Sequence, residues 1–323
     1  MAKKTYNNLE KQTYNASLKE VEETNKKLLK IYKKANDNLM KLINSQIEKI
    51  ISGRVKSLDK LAQTEILQAQ VANQIEKLNK RVDSVIRSGY LTNYDNVYYS
   101  TAYNLEFAAT QRFGYSLEFQ VLNTELAAAS LDELVGGETF RGRMLKQRLK
   151  LQNLLRENIA TATIEGISTK ELAKRLQDMR KSLKLSLSNA TRIARTELLR
   201  AHSISNDKAI EQSIASGLEG EKVWNATLDS RTRPDHVTMD QKKADKDGYF
   251  TLPNGDRAKG PRMPGLSASQ AINCRCYAQF RPFGIVPTGK SKKIDDKYKK
   301  RISISDFRKF KTSLKRQQNQ TTV

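Results

Sequence analysis

The sequence predicts a mainly α fold: long amphipathic helices, then a small α+β module with a short antiparallel sheet, then a basic flexible carboxy-terminal arm. Three observations carry that expectation. Apolar residues recur at steps of three and four over residues 18–42, the pattern that lines one side of a helix, and a second apolar series follows over 58–85. From Lys222 the texture changes to short strand-like runs divided by turn residues. Residues 287–323 are polar, with 12 basic side chains against 3 acidic ones and few large apolar clusters.

The first region is expected over residues 1–90. Leu18, Val21, Asn25, Leu28, Tyr32, Ala35, Leu39 and Leu42 form a heptad seam with one polar member. A break is plausible at Gly53, and a second helix follows through Leu58, Leu61, Ile66, Val71, Ile75, Leu78, Val82 and Val85. Self-association through these helices and an intramolecular hairpin satisfy the pattern equally.

A helical middle region is expected over 91–184. Residues 90–120 concentrate aromatic side chains, but residues 91–140 hold 7 acidic groups against 1 basic. That balance argues against a stacking platform for bases and for rings packed on helices or on a partner protein. Ser130 with Glu133, and Ser168 with Glu171, have capping-box spacing and are expected to open helices.

The α+β module is expected over 185–286. Ala190, Ile193, Ala194, Glu197, Leu198, Ala201, Ile204 and Ser205 share a helical stripe that ends near Gly217. Glu197 on that stripe needs a cationic partner, with Arg192, Arg195 and Arg200 in reach. "KVWNATLD" and "CRCYAQFRPF" read as strands, and "YFTLPNGDRA" contains an Asn-Gly pair suited to a hairpin. Trp224 is expected in the core. The basic arm covers 287–323, with one short helix expected in "ISDFRKFKTSLKR".

Lysine and arginine exceed aspartate and glutamate by 58 to 35, a formal charge of +23. Such an excess favours polyanions, so double-stranded DNA bound without sequence preference is the expected partner. Lys290, Lys292, Lys293, Lys299, Lys300, Arg301, Arg308, Lys309, Lys311, Lys315 and Arg316 are the candidate contacts in the arm. No apolar run is long enough to cross a bilayer, and the amino terminus does not read as a secretory signal.

The only two cysteines, Cys274 and Cys276, are one residue apart in "AINCRCYAQF". In a strand they would face the same side, so metal ligation fits better than a disulfide between them. Zinc would need further donors: His236 is the natural third ligand, and Asp229, Asp235 or water the fourth. Two small buried thiols packing a sheet, or a reactive pair, are the other readings. Two cysteines in so long a chain supply no disulfide framework and suit a reducing cytoplasm. His202 reads as a surface or core histidine.

Five motifs occur in order: "GGETFRGRMLKQR" at 136–148, "GISTKELAKRL" at 166–176, "ARTELLRA" at 194–201, "VWNATLDSRTRPDH" at 223–236 and "INCRC" at 272–276. In this series the second half of the chain resembles the head morphogenesis family of tailed bacteriophages, minor head proteins similar to Mu protein F. The resemblance implies a non-enzymatic head component, recruited in the host cytoplasm during procapsid assembly beside portal, scaffold and capsid proteins, then packaged with the genome inside the virion. It would assist DNA packaging or delivery, and it marks Asp229, Arg231 and Thr232 as positions of interest. A physical reading has Asp229 and Arg231 pin the loop that carries His236. Two alternatives are a metal-dependent DNA nuclease using Asp229, Asp235 and His236, and a host-type nucleic-acid-binding adaptor. No Walker-type loop, serine elbow or paired-histidine pattern supports catalysis.

Overall fold

The computed structural model describes residues 6–51, 57–164, 169–293 and 310–314. Long helices dominate: α1 (Tyr6–Ile51), α2 (Ser57–Ala108), α4 (Phe140–Ile164) and α5 (Thr169–Ala215), with the short α3 (Thr124–Ser130) between α2 and α4. Strands β1 (Tyr115–Leu117) and β6 (Ser291–Lys293), β2 (Leu218–Asn225) and β5 (Tyr277–Ile285), and β3 (Phe250–Thr251) and β4 (Arg257–Ala258) form three antiparallel pairs. The short helices α6 (Pro234–Thr238) and α7 (Ala268–Ala271) lie between these strands in sequence.

Contacts gather the chain into two compact units that cut across the linear segments. A helical unit comprises Glu22–Ser88 and Phe140–Ala194, and a mixed unit comprises Met1–Val21, Gly89–Thr139 and Arg195–Val323. Helix α2 runs without a break past residue 90, and the two helices expected on either side of residue 184 are one 47-residue helix.

The helical unit is built on side chains three or four residues apart. Leu28, Tyr32, Leu39, Ile43 and Ile47 of α1 are buried, as are Leu67, Val71, Ile75, Leu78, Val82 and Ile86 of α2. Phe140, Met144, Leu151, Leu155 and Ile159 of α4 supply a third face, and Met179, Leu183 and Ala190 of α5 a fourth. Leu61 and Ile66, expected in the seam, are 60% and 50% exposed, while Thr64 and Leu67 take the inward positions. The reason is spacing: Leu61, Ile66 and Val71 follow one another at steps of five, which swings each about 140° round a helix, whereas Thr64, Leu67 and Val71 keep steps of three and four. Across the unit, Tyr32 Oη meets Ser186 Oγ at 3.0 Å and Gln152 donates to the Ala72 carbonyl at 3.2 Å.

In the mixed unit the aromatic segment turns inward. Tyr90, Tyr98 and Tyr99 are almost fully buried, and Tyr98 and Tyr99 join Leu105, Leu117, Phe119, Ile210 and Phe280 in one core. Ser130 does not open a helix. It closes α3, donates to the Ala127 carbonyl and meets Tyr90 Oη at 2.8 Å, while Asn123 caps α3 by accepting from the amides of Glu125 and Leu126. Ser168 lies outside the described residues. At the end of α5, Gly217 has φ +92°, and a Cβ there would sit 1.8 Å from the Val286 carbonyl oxygen. Only glycine lets the chain reverse so tightly into β2, whose register with β5 runs from Leu218 opposite Ile285 to Asn225 opposite Tyr277. The Asn-Gly turn is present: Asn254 and Gly255 link β3 to β4.

Two stretches of the expected arm are among the described residues. Lys292 and Lys293 lie on β6, and residues 310–314 form a helical turn whose Leu314 joins the core beside Phe310. No helix of the described residues is long and apolar enough to cross a membrane.

Candidate metal centre

The segment after β2 and the segment before β5 meet at three sulfur and nitrogen donors. Pro234 at the first turn of α6 sets the backbone for a five-residue helix, whose His236 is 1% exposed. Trp224, wholly buried, packs edge-on to the imidazole with ring centres 5.5 Å apart. From the other side, α7 ends at Ala271 and the chain passes through Asn273, at φ +60°, to Cys274 and Cys276. Both cysteines precede β5 instead of lying in it, so strand alternation does not bring their sulfurs together; the Asn273 turn and the loop do.

Cys274 Sγ and Cys276 Sγ lie 3.5 and 3.3 Å from His236 Nδ1, and all three donor atoms fall within 4.8 Å of one another. Tetrahedral zinc bonded to sulfur at about 2.3 Å and nitrogen at about 2.0 Å separates those ligands by roughly 3.6 Å. The trio therefore closes on an ion with small adjustments. Burial pushes the Cys274 thiol up, but the hydrogen bond from Cys276, the Arg262 guanidinium and His236 outweigh it and hold it well below the ordinary range. Cys276 is pushed up by donating to Cys274 and by burial. The thiolate is the form that binds metals. One feature runs the other way: the buried His236 Nε2 has no hydrogen-bond partner, although metal-bound histidines usually anchor their second nitrogen.

The remaining sequence candidates hold the loops. Arg275 donates to both oxygens of Asp229 at 2.5 Å, and Asp229 also accepts from the Arg231 amide at 2.9 Å and from Thr232 Oγ1 at 3.2 Å. The Arg275 hydrogen bonds hold the Asp229 carboxyl well below the usual carboxylate range. Asp229 is thus placed as a loop clamp, outside the donor trio. Asp235 accepts from Gln270 at 2.6 Å, tying α6 to α7. Thr227 Oγ1 and Tyr14 Oη both donate to the Arg275 carbonyl.

Arg262, Asn273, Gln270 and Arg275 escaped sequence reasoning. Arg262 is wholly buried at φ +63° and donates to the Cys274 carbonyl and Ser203 Oγ, both at 3.0 Å. It sits in "KGPRMPG", a stretch with no periodicity, so only a lone arginine between glycine and proline marked it. Asn273 donates its amide to Thr196 Oγ1 at 3.0 Å and accepts from Arg195 at 3.2 Å, which fixes the cysteine loop against α5.

Residues 153–279 match the family described as phage Mu protein F like protein. That stretch of the chain is Mu F-like. Over 220 residues it is 33% identical to the NAD(+)--arginine ADP-ribosyltransferase EFV of Enterococcus faecalis, covering 68% of this chain but 43% of that protein's length. Over 234 residues it is 26% identical to the minor head protein GP7 of Bacillus phage SPP1, covering 72% of each. No solved structure matches.

Within the Mu F-like region, the "ARTELLRAH" helix carries a saturated buried ion pair. Glu197 and Arg200 have no exposed surface, and Arg200 Nε donates to Glu197 at 3.0 Å. The same guanidinium donates to the carbonyls of Ser130 at 2.6 Å and Leu131 at 3.0 Å and lies over the Tyr90 ring. Two residues on, His202 is buried, faces Ser17 Oγ at 3.0 Å, and is held down to about 3 by desolvation and then by Arg262. It is a neutral core histidine.

Of the basic candidates beyond the Mu F-like region, Lys292 lies 3.3 Å from Glu118 and Lys311 pairs with Asp95. Lys290 and Lys293 are exposed. Lys299, Lys300, Arg301, Arg308, Lys309, Lys315 and Arg316 lie outside the described residues.

Proposed function

We propose that this protein is a minor structural component of a tailed-phage head, recruited through the portal with scaffold and capsid proteins and enclosed with the genome, where it binds double-stranded DNA without sequence preference. The observation that carries this reading is the Mu F-like region together with an alignment to a minor head protein that spans 72% of both chains. Charge supports the DNA partner. The helical unit alone holds 27 basic against 12 acidic side chains, and neutralising phosphates releases counterions.

The role is structural, not catalytic. Asp229 and Asp235, the carboxylates a nuclease would need beside His236, are committed to Arg275 and Gln270. The transferase named in the Enterococcus relative belongs to a protein of which this chain spans less than half. His236, Cys274 and Cys276 we assign to one structural zinc ion, which would fasten the α6 segment to the start of β5 and bind with release of thiol protons.

Co-expression with the phage portal and scaffold proteins tests the reading. The protein should sediment with procapsids that contain portal and be missing from portal-less shells. Equal recovery from both rules out recruitment through the portal. DNA affinity should fall steeply with salt and ignore base sequence; salt-insensitive binding excludes a phosphate-based contact.

A further inference from the structure

The zinc reading leaves one coordination position unassigned, and the surroundings of the trio say what would fill it. Three donors converge among the described residues, where a closed structural site has four. Neither loop carboxylate joins the set: Asp229 has both oxygens on Arg275, and Asp235 accepts from Gln270. What lies beside the sulfurs is a small, half-open pocket of about 20 Å³ whose lining includes Arg231, Arg233, Arg275, Asn273, Thr227 and Thr232, and no acidic side chain. Arg231 is mostly exposed at the pocket, 73% of its side chain being accessible, and its closest carboxylate contact is a loose 3.8 Å to Asp229.

Charge then selects the ligand. Zinc with two thiolates and a neutral imidazole has no net charge; Arg275 is paired with Asp229, but Arg231 and Arg233 leave the wall of the open position positively charged. An oxyanion suits both, with one oxygen on the metal and the others toward the arginine donors.

Resting on the zinc assignment, we propose that His236, Cys274 and Cys276 form an open three-ligand zinc centre whose fourth position faces the arginine-lined pocket and takes a phosphate oxygen, from free phosphate or from a DNA backbone. This makes the site a phosphate contact instead of a closed staple, and it joins the cysteine pair to the polyanion chemistry of the whole chain. No bond to phosphorus forms or breaks; the oxyanion displaces water.

Cobalt(II) in place of zinc makes the coordination visible. The full-length chain is loaded with one cobalt, its thiolate charge-transfer and d–d absorption bands are recorded, and inorganic phosphate is titrated in. A second titration uses a blunt DNA duplex without terminal phosphates. The expected result is a saturable shift of the d–d bands with either titrant, and a half-saturation concentration on the order of tenfold higher in Arg231→Ala, from loss of one charge-assisted contact. Arg231 is exposed, so this variant is expected to fold and keep its cobalt; circular dichroism and metal content check both. A shift with phosphate alone assigns the position to free anion, and a shift with DNA alone assigns it to the backbone. Cobalt bound with bands that neither titrant moves overturns the open centre while leaving structural zinc intact. No cobalt or zinc bound by a folded chain overturns both.

Discussion

The helical unit and the mixed unit are stabilised by different means. The first buries leucine, isoleucine and valine at helical spacing and leaves its charges outside, with 27 basic and 12 acidic side chains. The second buries Glu197, Arg200, His202, His236 and Arg262 among its apolar groups, each held by partners distant in sequence or by a neighbouring donor. Apolar burial is non-directional and tolerates exchange, whereas a buried charge is stable only with its whole set of partners. The lesson is that charge inside the mixed unit marks structure, and charge outside the helical unit marks what it meets.

The largest effect should come from breaking the buried pair. Arg200→Leu strands Glu197 and removes donors from the Ser130 and Leu131 carbonyls, so denaturant unfolding should show a loss of about 3–5 kcal/mol. Adding Glu197→Leu should restore a large part of it. If the single and double variants are equally unstable, the ion pair is not the reason for the loss.

Next comes Glu106, which accepts from Ser116 Oγ at 2.6 Å and the Leu117 amide at 2.7 Å. Desolvation raises its carboxyl from 4.5 to about 7. For a raised carboxyl, the stability it contributes is complete below about pH 4.5, declines as the unfolded chain ionises, and is lost once pH passes about 7, a total of about 3 kcal/mol. His202 has the opposite sense: its lowered value costs stability as pH falls from 6.5 toward 3. Comparing wild type with Glu106→Gln isolates the first effect. The variant should be the flatter of the two between pH 4.5 and 7; parallel curves would show that Glu106 does not titrate on unfolding.

In the helical unit the expected effects are smaller. Ile43→Val deletes one buried methylene and should cost about 1 kcal/mol, while Leu61→Ala, at an exposed position, should stay within about 0.5 kcal/mol. Equal losses would mean that Leu61 is covered by something else. Smallest in stability is Lys27→Gln on the exposed side of α1: folding should not change, but if Lys27 contacts a phosphate, the slope of log affinity for DNA against log salt should fall by about 1. An unchanged slope removes Lys27 from the contact surface.

The same division explains how far the sequence could be read. Periodicity alone places Val21, Leu28, Tyr32, Leu39, Val71, Ile75, Leu78 and Val82 inside, because each depends only on local spacing. It misplaces Leu61 and Ile66, whose five-residue steps leave the face that Thr64 and Leu67 share with Val71. Ser130 has cap spacing to Glu133 but ends a helix, because Tyr90, forty residues earlier, takes its hydroxyl. Glu197 announces the need for a cation, yet three arginines are in reach and only packing selects Arg200. At the candidate centre, His236, Cys274 and Cys276 are legible as a donor set because the chain has so few thiols and imidazoles. Arg262 and Asn273, which shape the loop, are not, since a left-handed backbone in a non-glycine residue leaves no pattern in sequence.

Residence in the phage head would be seen at once by mass spectrometry of purified, DNA-filled heads. Peptides from both units should be present in every preparation, at far lower abundance than the major capsid protein. Heads that are complete, filled with DNA and free of these peptides would contradict it.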